Sequence, residues 1–245
     1  MANSRTSRSR TAQRPRQTLV WLHVLTSVGW MAQALGLLTL LAVGFASADQ
    51  DVRIAATSMA HELDTTLLAP MANASAFTGF VLSAATAWGF FHHWWVLAKF
   101  AITVVQLNLG IFVLSRNLGA AAADAEAGLA APPPGLLVGT AVMASAIAFQ
   151  AWLSVAKPWR RTPWAPQQRP PAAGSRVFVA AVAAPLIDMA LGVLMGFPMP
   201  LLEIAVLVVV LVSRTRRLRG AREGRAVPTG VTSAAGRRGA GATPG

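Results

Sequence analysis

Long apolar segments dominate this chain, and they recur with a length that suits a lipid bilayer. Hydrophobic residues make up 54% of the 245 positions, whereas charged residues make up only 12%. A soluble domain carries about 25% charged residues, and about 20 apolar residues in a helix cross a membrane. The sequence therefore predicts an all-α fold, a polytopic bundle of transmembrane helices. Six spans are predicted, over about 18–45, 70–88, 95–115, 135–156, 177–197 and 200–213.

The basic residues predict the orientation of this bundle. Of the 21 Lys and Arg, five precede residue 17, five lie in 157–176 and eight lie from Arg214 onward. Loops that stay in the cytoplasm are enriched in Lys and Arg, so all three stretches are expected there. Six spans place both termini on that side. We expect a multi-pass protein of a bacterial-type plasma (inner) membrane.

The same features divide the chain into five segments. We expect a disordered basic cytoplasmic arm at 1–17, a three-helix half at 18–117 and an extracytoplasmic loop at 118–134. Three further helices follow at 135–213, and then a disordered basic cytoplasmic tail at 214–245. The net charge of +12 flanks apolar segments. It therefore predicts anionic lipid headgroups as partners and no nucleic acid. The sequence leaves a homo- or hetero-oligomer in the membrane open.

Few residues in the predicted spans could carry chemistry. The chain has no cysteine, which excludes disulfides, thiolate catalysis, iron–sulfur ligation and covalently attached c-type haem. Ionisable groups inside a membrane are costly, so those present are functional candidates. They are His23, Lys99, Asp188 and Glu203. No metal site is predicted, because His61, with Glu62 and Asp64, and the pair His92 and His93 fall in predicted surface loops.

His23 and Lys99 are predicted to lie at one depth. Each sits four or five residues inside its span, about 6–8 Å below the cytoplasmic boundary at about 1.5 Å per residue. One interpretation is a cofactor site, in which the imidazole binds haem iron axially and the ammonium pairs with a carboxylate such as a haem propionate. The other is structural: Lys99 extends to the nearby interface and His23 hydrogen-bonds between helices. Each of the first three predicted spans also has a face of polar or small side chains. These residues are Ser27 and Trp30 in the first span, Ser75, Gly79, Ser83 and Thr86 in the second, and Thr103, Gln106 and Gly110 in the third.

Asp188 and Glu203 form a second candidate site. Asp188 lies near the middle of the fifth span, three residues after Pro185, and Glu203 lies just inside the sixth. A proline that frees backbone carbonyls beside a carboxyl group is found in ion and proton paths. Two isolated hydrogen bonds between helices would explain the same residues, as they would explain Gln150.

The first and third helices carry a resemblance to known families. The motifs are Trp21-Leu22-His23-Val24-Leu25 with Ser27-Val28-Gly29-Trp30-Met31, and Trp95-Val96-Leu97-Ala98-Lys99-Phe100. They resemble a family of bacterial integral membrane proteins without assigned function. Over 18–117 they are also distantly similar to copper-resistance D type proteins and to haem-containing protoporphyrinogen oxidase. The latter resemblance implies haem b as cofactor, with His23 as its ligand and Lys99 as the partner of a propionate or substrate.

Three functional hypotheses follow. The first is a b-type haem-binding or redox-linked membrane protein that uses His23 and Lys99. The second is a small transporter or permease-like protein that uses Asp188. The third is a non-catalytic membrane subunit. The sequence assigns no reaction, so it leaves open whether the protein is an enzyme.

Overall fold

A computed structural model describes residues 3–86, 88–129, 131–165, 173–197 and 199–223, with side chains between 14 and 217. Within these ranges the chain is helical and forms no strand. A single isolated β-bridge joins His93 to Arg161. The helices are α1 (Asn3–Ala46), α2 (Gln50–Leu63), α3 (Ala69–Ala85), α4 (Trp94–Leu109), α5 (Ser115–Glu126), α6 (Pro134–Ala156), α7 (Ser175–Met195) and α8 (Leu201–Glu223). Two π-helical segments, Asp64–Leu68 and Gly110–Leu114, join α2 to α3 and α4 to α5.

Among the residues that the structure describes, five helical segments are long and apolar enough to cross a membrane. They are Arg14–Ala46, Gln50–Ala85, Trp94–Glu126, Pro134–Ala156 and Ser175–Met195. The sixth predicted segment forms α8, which is not among these five. We call the end of the bundle with the α3–α4 and α6–α7 connections the basic end. The opposite end, with the α1–α2 and α5–α6 connections, is the acidic end.

The first helix lies at the centre of the bundle and packs against α2, α3, α6 and α7. Leu22, Trp30 and Leu41 are buried against these neighbours, whereas Trp21 and Val28 are exposed and apolar, as suits a face toward lipid. The helix begins at Asn3, within the arm that we expected to be disordered. A helix that has already formed extends one residue at a time, without a new nucleation step.

Two spans extend further toward the acidic end than expected. The residues predicted as a loop before Pro70 form α2, and α5 occupies much of the segment predicted as the loop 118–134. These two extensions pack against each other. Their contact faces are rich in alanine, which allows close approach but gives a weak hydropathy signal. The buried residues are Ala56, Thr57 and Ala60 of α2 and Leu118, Ala121, Ala122 and Ala125 of α5.

A π-helical segment explains why Pro70 does not interrupt the helical segment Gln50–Ala85. Within a regular α-helix a proline ring collides with the carbonyl of the preceding turn. Here the preceding turn is wider, and the N–H of Ala69 donates to the carbonyl oxygen of Asp64. The second π-helical segment is built in the same way, with Ser115 donating to Gly110. Such turns are uncommon and occur frequently at functional sites.

The last helix begins inside the bundle. The side chain of Asp188 accepts hydrogen bonds from the N–H groups of Leu202 (3.2 Å) and Glu203 (2.9 Å). Asp188 lies about 10 Å before the end of α7, at about 1.5 Å per residue. Because its side chain contacts the first turn of α8, α8 begins about 10 Å inside the bundle. At the basic end, Arg214 donates to the carbonyl oxygens of Ser83 (3.0 Å) and Ala84 (2.8 Å). The apolar part of α8 is therefore short, because it crosses only part of the bundle.

Candidate functional site

Lys99 begins a line of polar contacts between α4 and α6. Its Nζ donates to Oγ of Ser154 at 2.6 Å. The Ser154 hydroxyl in turn donates to the carbonyl oxygen of Gln150 at 2.9 Å. The ammonium thus turns toward α6.

Three buried side chains continue this line toward the middle of the bundle. Thr103 donates to Oε1 of Gln150 at 2.8 Å, and Nε2 of Gln150 donates to Oε1 of Gln106. Nε2 of Gln106 donates to the carbonyl oxygen of Met143 at 3.0 Å. The polar face predicted on the third span is therefore matched by a polar face on α6. An unpaired amide in this apolar setting would cost several kcal/mol, about 2–7, so these groups depend on one another.

A cavity of about 70 Å³ adjoins Gln106. Its walls come from α1, α3, α4, α5, α6 and both π-helical segments, and most of the lining residues are apolar. At about 30 Å³ per molecule the cavity has room for about two water molecules. A Cβ atom added at Gly110, which lines the cavity, would meet nothing within 4 Å. The polar side chains in the lining are Asp64, Asn73, Gln106, Ser115 and Thr140, together with the indole of Trp30.

Asp64 and His61 lie on the far side of this cavity, between α2 and α5. Only 6% of Asp64 is exposed, and its carboxylate accepts a hydrogen bond from Ser115. His61 lies three positions before Asp64 in the same helical segment, one turn nearer the acidic end, and packs against Gly119. Nδ1 of His61 is buried and has no hydrogen-bond partner among the residues that the structure describes. Such an atom is rare in a folded protein and requires an explanation.

Together these groups form one polar row through the bundle. The row consists of Lys99, Ser154, Gln150, Thr103, Gln106, the cavity, Ser115, Asp64 and His61. Lys99 and Ser115 are 16 positions apart on one continuous helical segment, which is about 24 Å at about 1.5 Å per residue. The hydrocarbon core of a bilayer is about 30 Å thick, so the row covers most of that thickness.

His23 lies beside the row, on the face of α1 that packs against α3. Its Nδ1 is 3.0 Å from the carbonyl oxygen of Ser75 and 3.0 Å from Oγ1 of Thr78. The Thr78 hydroxyl donates to Ala74, so both atoms accept from His23 and Nδ1 carries the proton. A Cβ atom added at Gly79 would lie 3.0 Å from Cε1 of the imidazole. The small face predicted on the second span is thus the surface against which His23 packs.

This arrangement does not fit a haem bound at His23. The orientation of the ring suits a metal ligand, since Nδ1–H is held by a carbonyl oxygen and Nε2 keeps its lone pair. Cofactor pockets, however, have volumes of about 300–1,000 Å³. The internal cavity of about 70 Å³ is far smaller and is lined by other residues. Nδ1 of His23 is held by α3 and Nζ of Lys99 by Ser154 of α6, so the two side chains bond to different helices.

Asp188 and Glu203 are brought together, although the sequence placed them at different depths. Both are buried, with 5% and 4% exposed, and Asp188 acts electrostatically on Glu203. The two hydrogen bonds that Asp188 accepts satisfy N–H groups at the start of α8, which otherwise have no partner within the helix. Asp188 therefore has a structural role as the cap of a helix that begins inside the bundle.

No protein-family model, curated protein or solved structure matches this chain. The resemblance of 18–117 to haem-containing and copper-resistance membrane proteins accordingly stays a prediction.

The sequence did not single out Asp64, Ser115 or the cavity. Asp64 was expected in a solvated loop because charged residues surround it. One signal was present, since Ala56, Ala60 and Asp64 are spaced by four and share one face of a helix. That spacing would have predicted a buried carboxylate if the loop had been interpreted as a helix.

Proposed function

We propose that this membrane protein moves protons across the bilayer along the polar row. One observation carries the proposal: hydrogen-bonded side chains, a cavity and a buried carboxylate follow one another from Lys99 to His61. Chains of Asp, Glu and His within transmembrane bundles serve as proton relays. The cavity is large enough for water and far too small for an organic substrate.

The chemistry of the row suits proton transfer. The carboxylate of Asp64 borders the cavity and can accept a proton from water inside it. His61 lies next to Asp64 and has a ring nitrogen that no other group in the described part of the chain occupies. An imidazole accepts a proton at one nitrogen and releases one from the other, which suits it to a relay between a buried acid and the surface.

The basic residues support a direction for this path. If the clusters of Lys and Arg mark the cytoplasmic side, both termini lie on that side, and α8 is the sixth segment, which brings the chain back to it. The membrane is then a bacterial-type plasma membrane. Lys99 and His23 then lie at the cytoplasmic end of the row. Asp64 and His61 lie at the outer end. This assignment replaces Asp188 with Asp64 as the carboxylate of the transport hypothesis.

The wild-type protein in vesicles provides the test. Proteoliposomes loaded with K⁺ and the pH dye pyranine are diluted into K⁺-free buffer, and valinomycin then makes the interior negative. We expect the interior to acidify faster than in protein-free vesicles, because the potential drives protons inward through the row. An acidification rate equal to that of protein-free vesicles, at verified protein incorporation, would contradict proton movement.

Haem binding at His23 remains a separate prediction of the resemblance. An absorption spectrum of the protein purified from haem-supplied cells tests it. A Soret band that disappears in His23→Ala would support it, and would require a rearrangement of α1 and α3 around the ring.

A further inference from the structure

An open groove of about 540 Å³ lies on the outer surface at the basic end, away from the polar row. It is lined by Trp94, Leu97, Ala98 and Ala101 of α4 and by Trp159 from the α6–α7 connection. The α4 residues recur every three or four positions, so they share one face of the helix. The small side chains of Ala98 and Ala101 leave a trough in this lining, because the other lining side chains are much larger.

The groove runs from the membrane interface toward the apolar interior. Trp94 is the first residue of α4, and Ala101 lies seven positions deeper, about 10 Å at about 1.5 Å per residue. Both indoles are partly exposed, at 41% for Trp94 and 44% for Trp159. Tryptophan at this level is typical of the boundary between headgroups and acyl chains.

Basic residues stand at the shallow end of the groove. The N–H of Trp94 donates to the carbonyl oxygen of Arg160 at 3.5 Å, so this arginine lies beside the first residue of the groove. Arg160 is exposed, and Lys157 places its ammonium 5.6 Å from the ring centroid of Trp88 nearby. Contacts between the two loops hold this arrangement in place: Thr162 bonds to the carbonyl oxygens of Phe91 and His92, and Trp94 packs edge-on against Trp164 at 5.3 Å.

We infer that this groove binds one anionic phospholipid. Its phosphate lies against Arg160, and one acyl chain lies in the trough over Ala98 and Ala101. Charge complementarity selects the headgroup, since the shallow end is basic and the floor is apolar. An arginine near a membrane surface favours anionic over zwitterionic lipid by about fivefold, which corresponds to one basic residue.

Lipid binding can be measured on the whole protein without any transport assay. The delipidated protein in detergent is titrated with phosphatidylglycerol or phosphatidylcholine, and the bound lipid is counted by native mass spectrometry. We expect one phosphatidylglycerol to bind more tightly than the others, and more tightly than phosphatidylcholine. Arg160→Gln should weaken that first site about fivefold. Ala98→Phe, which fills the trough, should weaken it for both lipids.

Matched control variants separate this site from the general affinity of a basic membrane protein for anionic lipid. Arg116→Gln removes an exposed arginine at the acidic end, and Val193→Phe enlarges an exposed apolar residue of α7. Both should leave the first site unchanged. The inference is overturned if the controls weaken binding as much as Arg160→Gln and Ala98→Phe do. It is also overturned if the two lipids bind equally, or if a second copy of the chain occupies the groove and Ala98→Phe disrupts that dimer.

Discussion

Replacing Asp64 with asparagine should reduce proton flux in proteoliposomes by at least about tenfold. Asparagine has nearly the same shape and can still accept the hydrogen bond from Ser115, but it cannot take up a proton in the physiological range. Proton transfer by a positioned side chain contributes about 10²–10⁴-fold to reaction rates, so tenfold is a conservative expectation. The rate of pyranine acidification after addition of valinomycin measures the effect.

Two control variants make this result specific to the polar row. Asp124→Asn neutralises an exposed carboxylate on α5 and should leave the rate unchanged. Asp188→Asn keeps one of the two oxygens that accept the N–H groups of Leu202 and Glu203, and because Asp188 lies outside the polar row it should also leave the rate unchanged. If Asp188→Asn removed the flux while Asp64→Asn preserved it, the path would run at the start of α8 instead of along the row.

Replacing Gly79 with valine should destabilise the bundle by about 1–3 kcal/mol, the usual cost of overpacking a close contact. The first added carbon would already lie 3.0 Å from Cε1 of His23, and the two methyl groups have no space between α1 and α3. The His23 ring is held by Ser75 and Thr78, so it cannot move aside without breaking those hydrogen bonds. Thermal unfolding in detergent micelles, followed by circular dichroism, measures the loss.

Gly135→Val provides the matched comparison, because that glycine is also helical and an added Cβ would meet nothing within 4 Å. We expect its unfolding temperature to equal that of the wild type or to rise slightly. If the two variants unfolded at the same temperature, His23 would not be packed against α3 as described.

The general architecture was predictable because hydropathy and the segment length set by a bilayer are strong signals. Within the described residues, an all-helical fold with several helices long and apolar enough to cross a membrane is confirmed. The lengths of the helices were harder to predict from the sequence. The alanine faces of α2 and α5 have weak hydropathy, and Pro70 was interpreted as the start of a helix because the wider turn before it leaves no mark in the sequence. The depth at which α8 begins depends on a contact with Asp188 across a connection, which no local pattern encodes.

The candidate site could be predicted only in part from the sequence. The spacing of Lys99, Thr103 and Gln106 predicted a polar face on one helix. The polar residues of α6 that contact this face were not predicted, because Gln150 was interpreted as a single polar residue in an apolar span. His23 and Lys99 were expected at one depth, where a shared cofactor site and two separate structural roles were both open. The structure gives each its own hydrogen-bond partner on a different helix. The pairing of Asp64 with Ser115 depends on how two helical extensions pack, and that follows from tertiary structure alone.

Access of water to the cavity is the most direct test of the polar row. The chain has no cysteine, so single cysteines can be introduced without a background signal. Gly110→Cys places a thiol in the cavity, and Val105→Cys places one on the exposed apolar face of the same helix. Proteoliposomes are treated with Ag⁺, a small ion that reacts with thiols in water. The protein is then denatured, and a fluorescent maleimide labels any thiol that remains free. The account predicts that Gly110→Cys is protected from the maleimide and that Val105→Cys is fully labelled; full labelling of Gly110→Cys would contradict a water-accessible path.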